Sequence, residues 1–187
     1  MEAFLTSTAI VALAEIGDKT MLLAIVLATR FRRPVPIILG ILGATLANHA
    51  IAALVGQQAA AWFDGQWFRI LVAASFIAMG LWTLIPDRLD EEEKPRSSRG
   101  AFLTTLITFF FVEIGDKTQI ATVALGAQFQ SVLAVTAGTT FGMMLANVPA
   151  VLLGQKLVEK ISLATVRMIA ASLFVVVGVW MLWAALA

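Results

Sequence analysis

Two copies of one polar hexapeptide interrupt otherwise apolar sequence: Glu15-Ile16-Gly17-Asp18-Lys19-Thr20 and Glu113-Ile114-Gly115-Asp116-Lys117-Thr118. The first copy lies inside the apolar run 4–29 and the second inside the run 101–125. An ionisable side chain in the hydrocarbon of a bilayer costs roughly 2.5–3.5 kcal/mol on insertion scales. Ionisable side chains in two identical clusters therefore indicate a polar site at membrane depth.

The rest of the composition is that of an integral membrane protein. Of the 187 residues, 60% are hydrophobic, whereas soluble domains have about 45–50% apolar residues. Each apolar segment is near the roughly 20 residues needed to cross the hydrocarbon, and its Leu, Ala and Gly content disfavours a β-barrel. We predict an all-α membrane protein with six transmembrane helices, at 4–28, 35–58, 68–85, 101–125, 131–153 and 164–186.

The two halves of the chain are an internal duplication. An offset of 98 residues aligns Gly40 with Gly138 and Trp82 with Trp180, as well as the hexapeptides. The alignment predicts a first three-helix repeat at 1–85, a polar linker at 86–100 and a second three-helix repeat at 101–187. Because three spans are an odd number, the two repeats should enter the membrane from opposite sides, as in many secondary transporters.

The distribution of basic residues predicts the orientation. Apart from Arg69, the basic loop residues fall on one side of the predicted topology, with Arg167 placed there less clearly than the others: Arg30, Arg32, Arg33, Arg88, Lys94, Arg96, Arg99, Lys156, Lys160 and Arg167. Basic loops face the cytoplasm. We therefore expect an inner-membrane protein whose linker is cytoplasmic and whose termini both lie outside.

The hexapeptides carry the groups of a cation site. On a continuous helix Glu15 and Asp18 would share a face, and Gly17 would allow close backbone approach or local unwinding. Together the two copies hold four carboxylates and two ammonium groups, so one divalent cation or two protons would neutralise them. Carboxylate, hydroxyl and amide oxygens suit Mn²⁺, Mg²⁺ or Ca²⁺, and protons compete with metal for such ligands. The alternative is a purely structural role, with Glu15 paired to Lys19 and Glu113 to Lys117.

The doubled pattern Glu-x-Gly-Asp-Lys-Thr resembles the signature of the cation/proton exchanger family that includes bacterial manganese exporters and Golgi calcium/manganese transporters. The resemblance covers essentially the whole chain. It implies export of Mn²⁺, with Ca²⁺ as the alternative, in exchange for protons. It also implies metal binding by Glu15, Asp18, Glu113 and Asp116, and it extends to the neighbouring Lys19, Thr20, Lys117 and Thr118.

Further polar residues fall within the predicted spans. Asn48 and Asn147 are equivalent in the two repeats and are either amide ligands or gates, or interhelical hydrogen-bonding groups. Gln119 and His49 have the apolar counterparts Met21 and Val148. For His49, packing or a position on the pathway is favoured over metal ligation.

Two other function classes stay open from the sequence. An intramembrane lipid-phosphate enzyme would use the lysines to hold phosphate, and a passive divalent-cation channel would move ions without protons. We expect no resident cofactor, no nucleic-acid partner and no enzymatic activity. Gly138 and Gly142 are compatible with helix packing within one chain or with contact in a homo-oligomer.

Overall fold

The computed structural model describes residues 1–63, 65–86, 100–154 and 162–187. Within these ranges the chain forms helices and no strand: α1 (Glu2–Glu15), α2 (Lys19–Phe31), α3 (Pro34–Trp62), α4 (Gln66–Thr83), α5 (Ala101–Glu113), α6 (Lys117–Phe129), α7 (Val132–Leu153) and α8 (Leu163–Leu186). Most of the predicted linker lies outside the described residues, as do Arg88, Lys94, Arg96, Arg99, Lys156 and Lys160.

The all-α prediction is confirmed for the described residues, and four helices are long and apolar enough to cross a membrane. These are α3, α4, α7 and α8, which match four of the predicted spans. The prediction of continuous helices at 4–28 and 101–125 is wrong. Each of these segments is divided into two helices of 13 or 14 residues, and the division falls inside the hexapeptide.

Glycines bring α1 and α7 into backbone contact. A Cβ atom placed on Gly138 would lie 2.5 Å from the Phe4 carbonyl oxygen, and one on Gly142 would lie 2.6 Å from the Thr8 carbonyl oxygen. Because both residue numbers rise together, α1 and α7 run in the same direction. This contact answers the question left open for Gly138 and Gly142: they pack within the chain.

The equivalent helices of the other half pack in the same way. Gly40 of α3 faces the Phe102 carbonyl oxygen of α5, and Gly56 of α3 faces the Val123 carbonyl oxygen of α6. The broken pair α5 and α6 therefore follows α3 in one direction. Helices α4 and α8 instead run antiparallel, since Gly80 packs on Ala171 whereas Gly178 packs on Ala73.

Two apolar cores lie on either side of the helix breaks. One joins α1, α6, the C-terminal part of α3 and the N-terminal part of α7 with α4 and α8. The other joins α2, α5, the N-terminal part of α3 and the C-terminal part of α7. Large apolar side chains also cover the outside, including Leu39, Leu54, Leu133, Val176 and Trp183. Such a surface suits contact with lipid, and the breaks lie between the two apolar cores of the bundle.

Candidate metal site at the two helix breaks

Each hexapeptide ends one helix and begins the next. Glu15 is the last residue of α1 and Asp18 is the N-cap of α2; Glu113 and Asp116 hold the same places at α5 and α6. The chain turns through a glycine of positive φ, +87° at Gly17 and +78° at Gly115. A side chain disfavours that conformation, which explains why glycine stands at both breaks. The expectation that Glu15 and Asp18 share a helical face is therefore wrong, and the alternative of unwinding at the glycine is confirmed.

The charges at the breaks are placed partly against the helix dipoles. An aspartate suits a helix N-terminus, whereas a lysine at the first helical residue and a glutamate at the last are each disfavoured, by roughly 0.3–1 kcal/mol. Lys19 and Lys117 begin α2 and α6, and Glu15 ends α1. Local helix energetics therefore do not explain these residues, and their stabilisation must come from other parts of the fold.

The two hexapeptides meet through crossed ion pairs. Lys19 Nζ lies 3.5 Å from Asp116 Oδ1, and Lys117 Nζ lies 3.6 Å from Asp18 Oδ1. Lys117 also donates to the Ile85 carbonyl oxygen at 3.4 Å. Asp18, Asp116 and Lys117 are buried, so each lysine neutralises a buried aspartate of the opposite repeat. A structural role for the lysines thus exists, and it links the two halves.

The glutamate of the second hexapeptide has polar neighbours from α3 and α6. Thr118 Oγ1 donates to Glu113 Oε1 at 2.5 Å and lies 3.3 Å from Asp116 Oδ2. His49 Nε2 stands 3.5 Å from the same Glu113 oxygen, and both residues are buried. The imidazole therefore lies next to a carboxylate of the second break, although the sequence favoured packing or a position on the pathway for His49 because its counterpart in the other repeat is Val148. The feature of the sequence that could have identified His49 is its position directly after Asn48 in an apolar span.

The glutamate of the first hexapeptide is bonded to α7. Asn147 Nδ2 donates to Glu15 Oε1 at 3.2 Å and to the Met143 carbonyl oxygen at 3.1 Å. The equivalent Asn48 donates to the Phe110 carbonyl oxygen at 3.0 Å and accepts a hydrogen bond from Gln119. Both asparagines therefore make interhelical hydrogen bonds, and Asn147 does so at a carboxylate of the site.

The two breaks differ in their surroundings. A Cβ atom on Gly17 would lie 3.0 Å from Leu163 Cδ2, so the start of α8 covers the first break. Among the described residues, nothing lies within 4 Å of a Cβ atom placed on Gly115 at the second break, and the neighbouring Ile114 is 52% exposed. Gly115 N–H donates to Gln119 Oε1 at 2.6 Å, so Gln119 bonds to the backbone of this break.

The described residues contain no group of three Asp, Glu or His side chains close enough to hold a metal together. The four predicted carboxylates nevertheless lie at the two breaks, in contact with the lysines, threonine and amides around them. In this conformation the positively charged ammonium groups of the lysines contact the aspartates, as a metal ion would.

Comparison with known proteins identifies relatives over the whole chain. The profile of the family described as "Divalent cation/proton antiporter GDT1" matches residues 3–91 and 101–187. A Vibrio cholerae protein named "Putative manganese exporter" is 49% identical over 179 residues, covering 95% of this chain and 89% of that one. GDT1-like protein 5 of Arabidopsis thaliana is 27% identical over 217 residues, covering 96% and 94%. No solved structure matches the chain.

Proposed function

The chain belongs to the GDT1 family of divalent cation/proton antiporters, and we propose that it exports Mn²⁺ from the cytoplasm in exchange for protons at the two helix breaks. It is a multi-pass membrane protein of a transporter family, not an enzyme. The name of its Vibrio cholerae relative favours Mn²⁺; Ca²⁺ uses the same hard oxygen ligands and is the alternative ion.

The crossed ion pairs carry the proposal. Lys19 contacts Asp116 and Lys117 contacts Asp18, and the two breaks together hold four carboxylates and two ammonium groups, a net charge of −2 when all are ionised. Two protons, which we place on Glu15 and Glu113, or one divalent cation would restore neutrality in the bundle. Neutralisation by either the protons or the cation removes the cost of holding net negative charge in a low-dielectric interior. Binding both at once would give the site a net positive charge. Exchange follows from this competition.

We assign the four carboxylates as metal ligands that assemble when the cation enters. Asp18 and Asp116 exchange their lysine partners for the metal, and Glu15 and Glu113 bind it after losing their protons. Thr20 and Thr118, Asn48 and Asn147, and Gln119 supply further oxygen atoms around the ion. His49, at 3.5 Å from Glu113, supplies a nitrogen that favours Mn²⁺ over Ca²⁺.

We further propose six membrane-crossing segments arranged as two inverted repeats, with the broken pairs α1–α2 and α5–α6 each forming one segment. The antiparallel contact of the equivalent helices α4 and α8 supports this arrangement. So does the parallel packing of α1 on α7 and of α5 on α3. Discontinuous helices that bind ions at their broken ends are a recurring feature of such transporters.

We also propose that the protein lies in the inner membrane with both termini outside and the segment 86–100 in the cytoplasm, and the distribution of the basic loop residues supports this orientation. The different cover of Gly17 and Gly115 by the described residues favours an intermediate of alternating access, in which the described helices shield the first break more than the second. Association into a homo-oligomer is compatible with the apolar outer surface.

The geometry of the site disfavours the two competing functions. A lipid-phosphate enzyme needs Lys19 and Lys117 for an anionic headgroup, yet both engage buried aspartates. A passive channel needs a continuous polar path, whereas the site lies between two apolar cores. Antiport therefore fits the geometry best.

The test records Mn²⁺ uptake and internal pH together in proteoliposomes that contain the full chain. We expect protons to move opposite to Mn²⁺, and both movements to disappear in Asp18→Asn and Asp116→Asn proteins. Glu2→Gln, at the exposed start of α1, is the matched control and should keep full exchange. Mn²⁺ flux without proton movement would replace the proposal by a channel. Full transport by either aspartate variant would remove these carboxylates from the site.

A further inference from the structure

One face of α7 carries a line of buried polar side chains that leads to the site. Thr136, Thr140 and Asn147 stand four and seven residues apart, so they share a helical face. Their exposed fractions are 6%, 5% and 0%. The line begins one turn inside the N-terminal end of α7 and ends where Asn147 donates to Glu15.

The oxygen atoms of this line have no hydrogen-bond partner among the described residues: Thr136 Oγ1, Thr140 Oγ1 and Asn147 Oδ1. Threonines in helices usually bond to a carbonyl one turn back. Thr139, between them on the same helix, does so, donating to the Val135 carbonyl oxygen at 2.8 Å. Buried polar atoms without a partner are costly, and in native proteins they call for a water molecule, an ion or a functional reason.

The two threonines of the line have apolar counterparts in the other repeat. The positions of α3 equivalent to Thr136 and Thr140 are Ile38 and Ile41, and Ile41 is fully buried in the apolar core. The polar character of these two positions is therefore not a by-product of the duplication. The other half has buried hydroxyls of its own, at Thr45 of α3 and Thr105 of α5, but no threonines at the positions equivalent to Thr136 and Thr140.

We infer that the Thr136–Thr140–Asn147 face is a hydrated half-pathway between Glu15 and the membrane side on which α7 begins. The two hydroxyls bind water, or the hydration shell of the divalent cation, when α7 separates from its neighbours during transport. This inference rests on the proposed antiport function and assigns the route by which protons and metal reach one side. Given the proposed orientation, that side is the extracytoplasmic one.

Cysteine labelling tests the pathway directly, because the chain contains no cysteine. Single substitutions Thr136→Cys and Thr140→Cys, in the full chain in proteoliposomes, are treated with a membrane-impermeant methanethiosulfonate while Mn²⁺ and pH gradients are imposed. We expect labelling of both, and none at the controls Thr139→Cys and Ile41→Cys. Equal labelling at all four positions, or at none, would overturn the half-pathway.

Isosteric variants test whether transport depends on the two threonine hydroxyls. Thr136→Val with Thr140→Val should lower the Mn²⁺ transport rate about tenfold, since two hydrogen-bonding groups leave the route. The same double variant should keep or raise the thermal unfolding temperature, because a hydroxyl without a partner is lost. Thr139→Val should transport normally. Wild-type rates in the double variant would reject the inference, whereas absent exchange in the wild-type protein combined with labelled cysteines would reject only the proposed function.

Discussion

Replacing Lys117 by Gln tests whether the crossed ion pairs hold the two halves together. Lys117 Nζ lies 3.6 Å from Asp18 Oδ1, and both side chains are at least 96% buried. Removing one partner of a buried pair leaves an uncompensated charge, which costs about 3–5 kcal/mol. We therefore expect Lys117→Gln to lower the free energy of unfolding by about that amount. The effect should be smaller for Lys19→Gln, because the Lys19 side chain is 19% exposed.

A second substitution distinguishes this ion pair from a general packing effect. Asp18→Asn, added to Lys117→Gln, removes both charges and should restore most of the lost stability. Glu2→Gln, added instead, removes an exposed carboxylate and should restore none. Thermal unfolding in detergent, followed by tryptophan fluorescence, compares the wild-type protein, Lys117→Gln and the two double variants. If Asp18→Asn gives no recovery in the Lys117→Gln background, the crossed pairing does not hold the halves together.

Three further outcomes follow from the site and its packing. His49→Ala should reduce Mn²⁺ transport more than Ca²⁺ transport, because a nitrogen ligand favours Mn²⁺; paired flux assays with the two ions measure this. Gly17→Ala should destabilise the protein more than Gly115→Ala, since both have positive φ but only the first new Cβ would meet Leu163, at 3.0 Å; thermal unfolding compares them. Gly56→Ala should prevent normal packing, because its Cβ would lie within 3 Å of backbone atoms of α6; the yield of folded protein and its unfolding temperature report this.

Three results would contradict these three predictions. Equal losses of Mn²⁺ and Ca²⁺ flux in His49→Ala would leave the imidazole with a structural role at Glu113. Equal unfolding temperatures for the two hexapeptide variants would remove the cover by α8. A well-folded Gly56→Ala protein would contradict the close approach of α3 and α6.

The doubled hexapeptide and the duplication were readable from the sequence because they are patterns of residue identity. The breaks at Gly17 and Gly115 were harder, since other glycines such as Gly40 and Gly138 lie inside continuous helices. Glycine alone does not decide between the two outcomes. The residue after it does carry a signal, because aspartate is a preferred N-cap and both breaks place Asp at that position.

The partners of the charged residues could not be read from the sequence. Spacing along one helix relates Lys19 only to Glu15, and the fold brings Lys19 within 3.5 Å of Asp116, 97 residues away. Such pairs depend on how the two repeats pack. The contact of His49 was also not predictable, because this residue has no polar counterpart in the other repeat. Only the packing of α3 on α5 brings it to Glu113.

Accumulation of Mn²⁺ driven by a proton gradient would demonstrate exchange of the two ions by this protein. Proteoliposomes containing the full chain begin with equal Mn²⁺ concentrations on both sides and an acidic interior. Antiport at the helix breaks predicts that Mn²⁺ accumulates inside, against its own gradient, while the interior becomes less acidic. It also predicts that Glu15→Gln and Glu113→Gln proteins accumulate none. Mn²⁺ concentrations that stay equal in the wild-type vesicles would contradict the exchange of Mn²⁺ for protons.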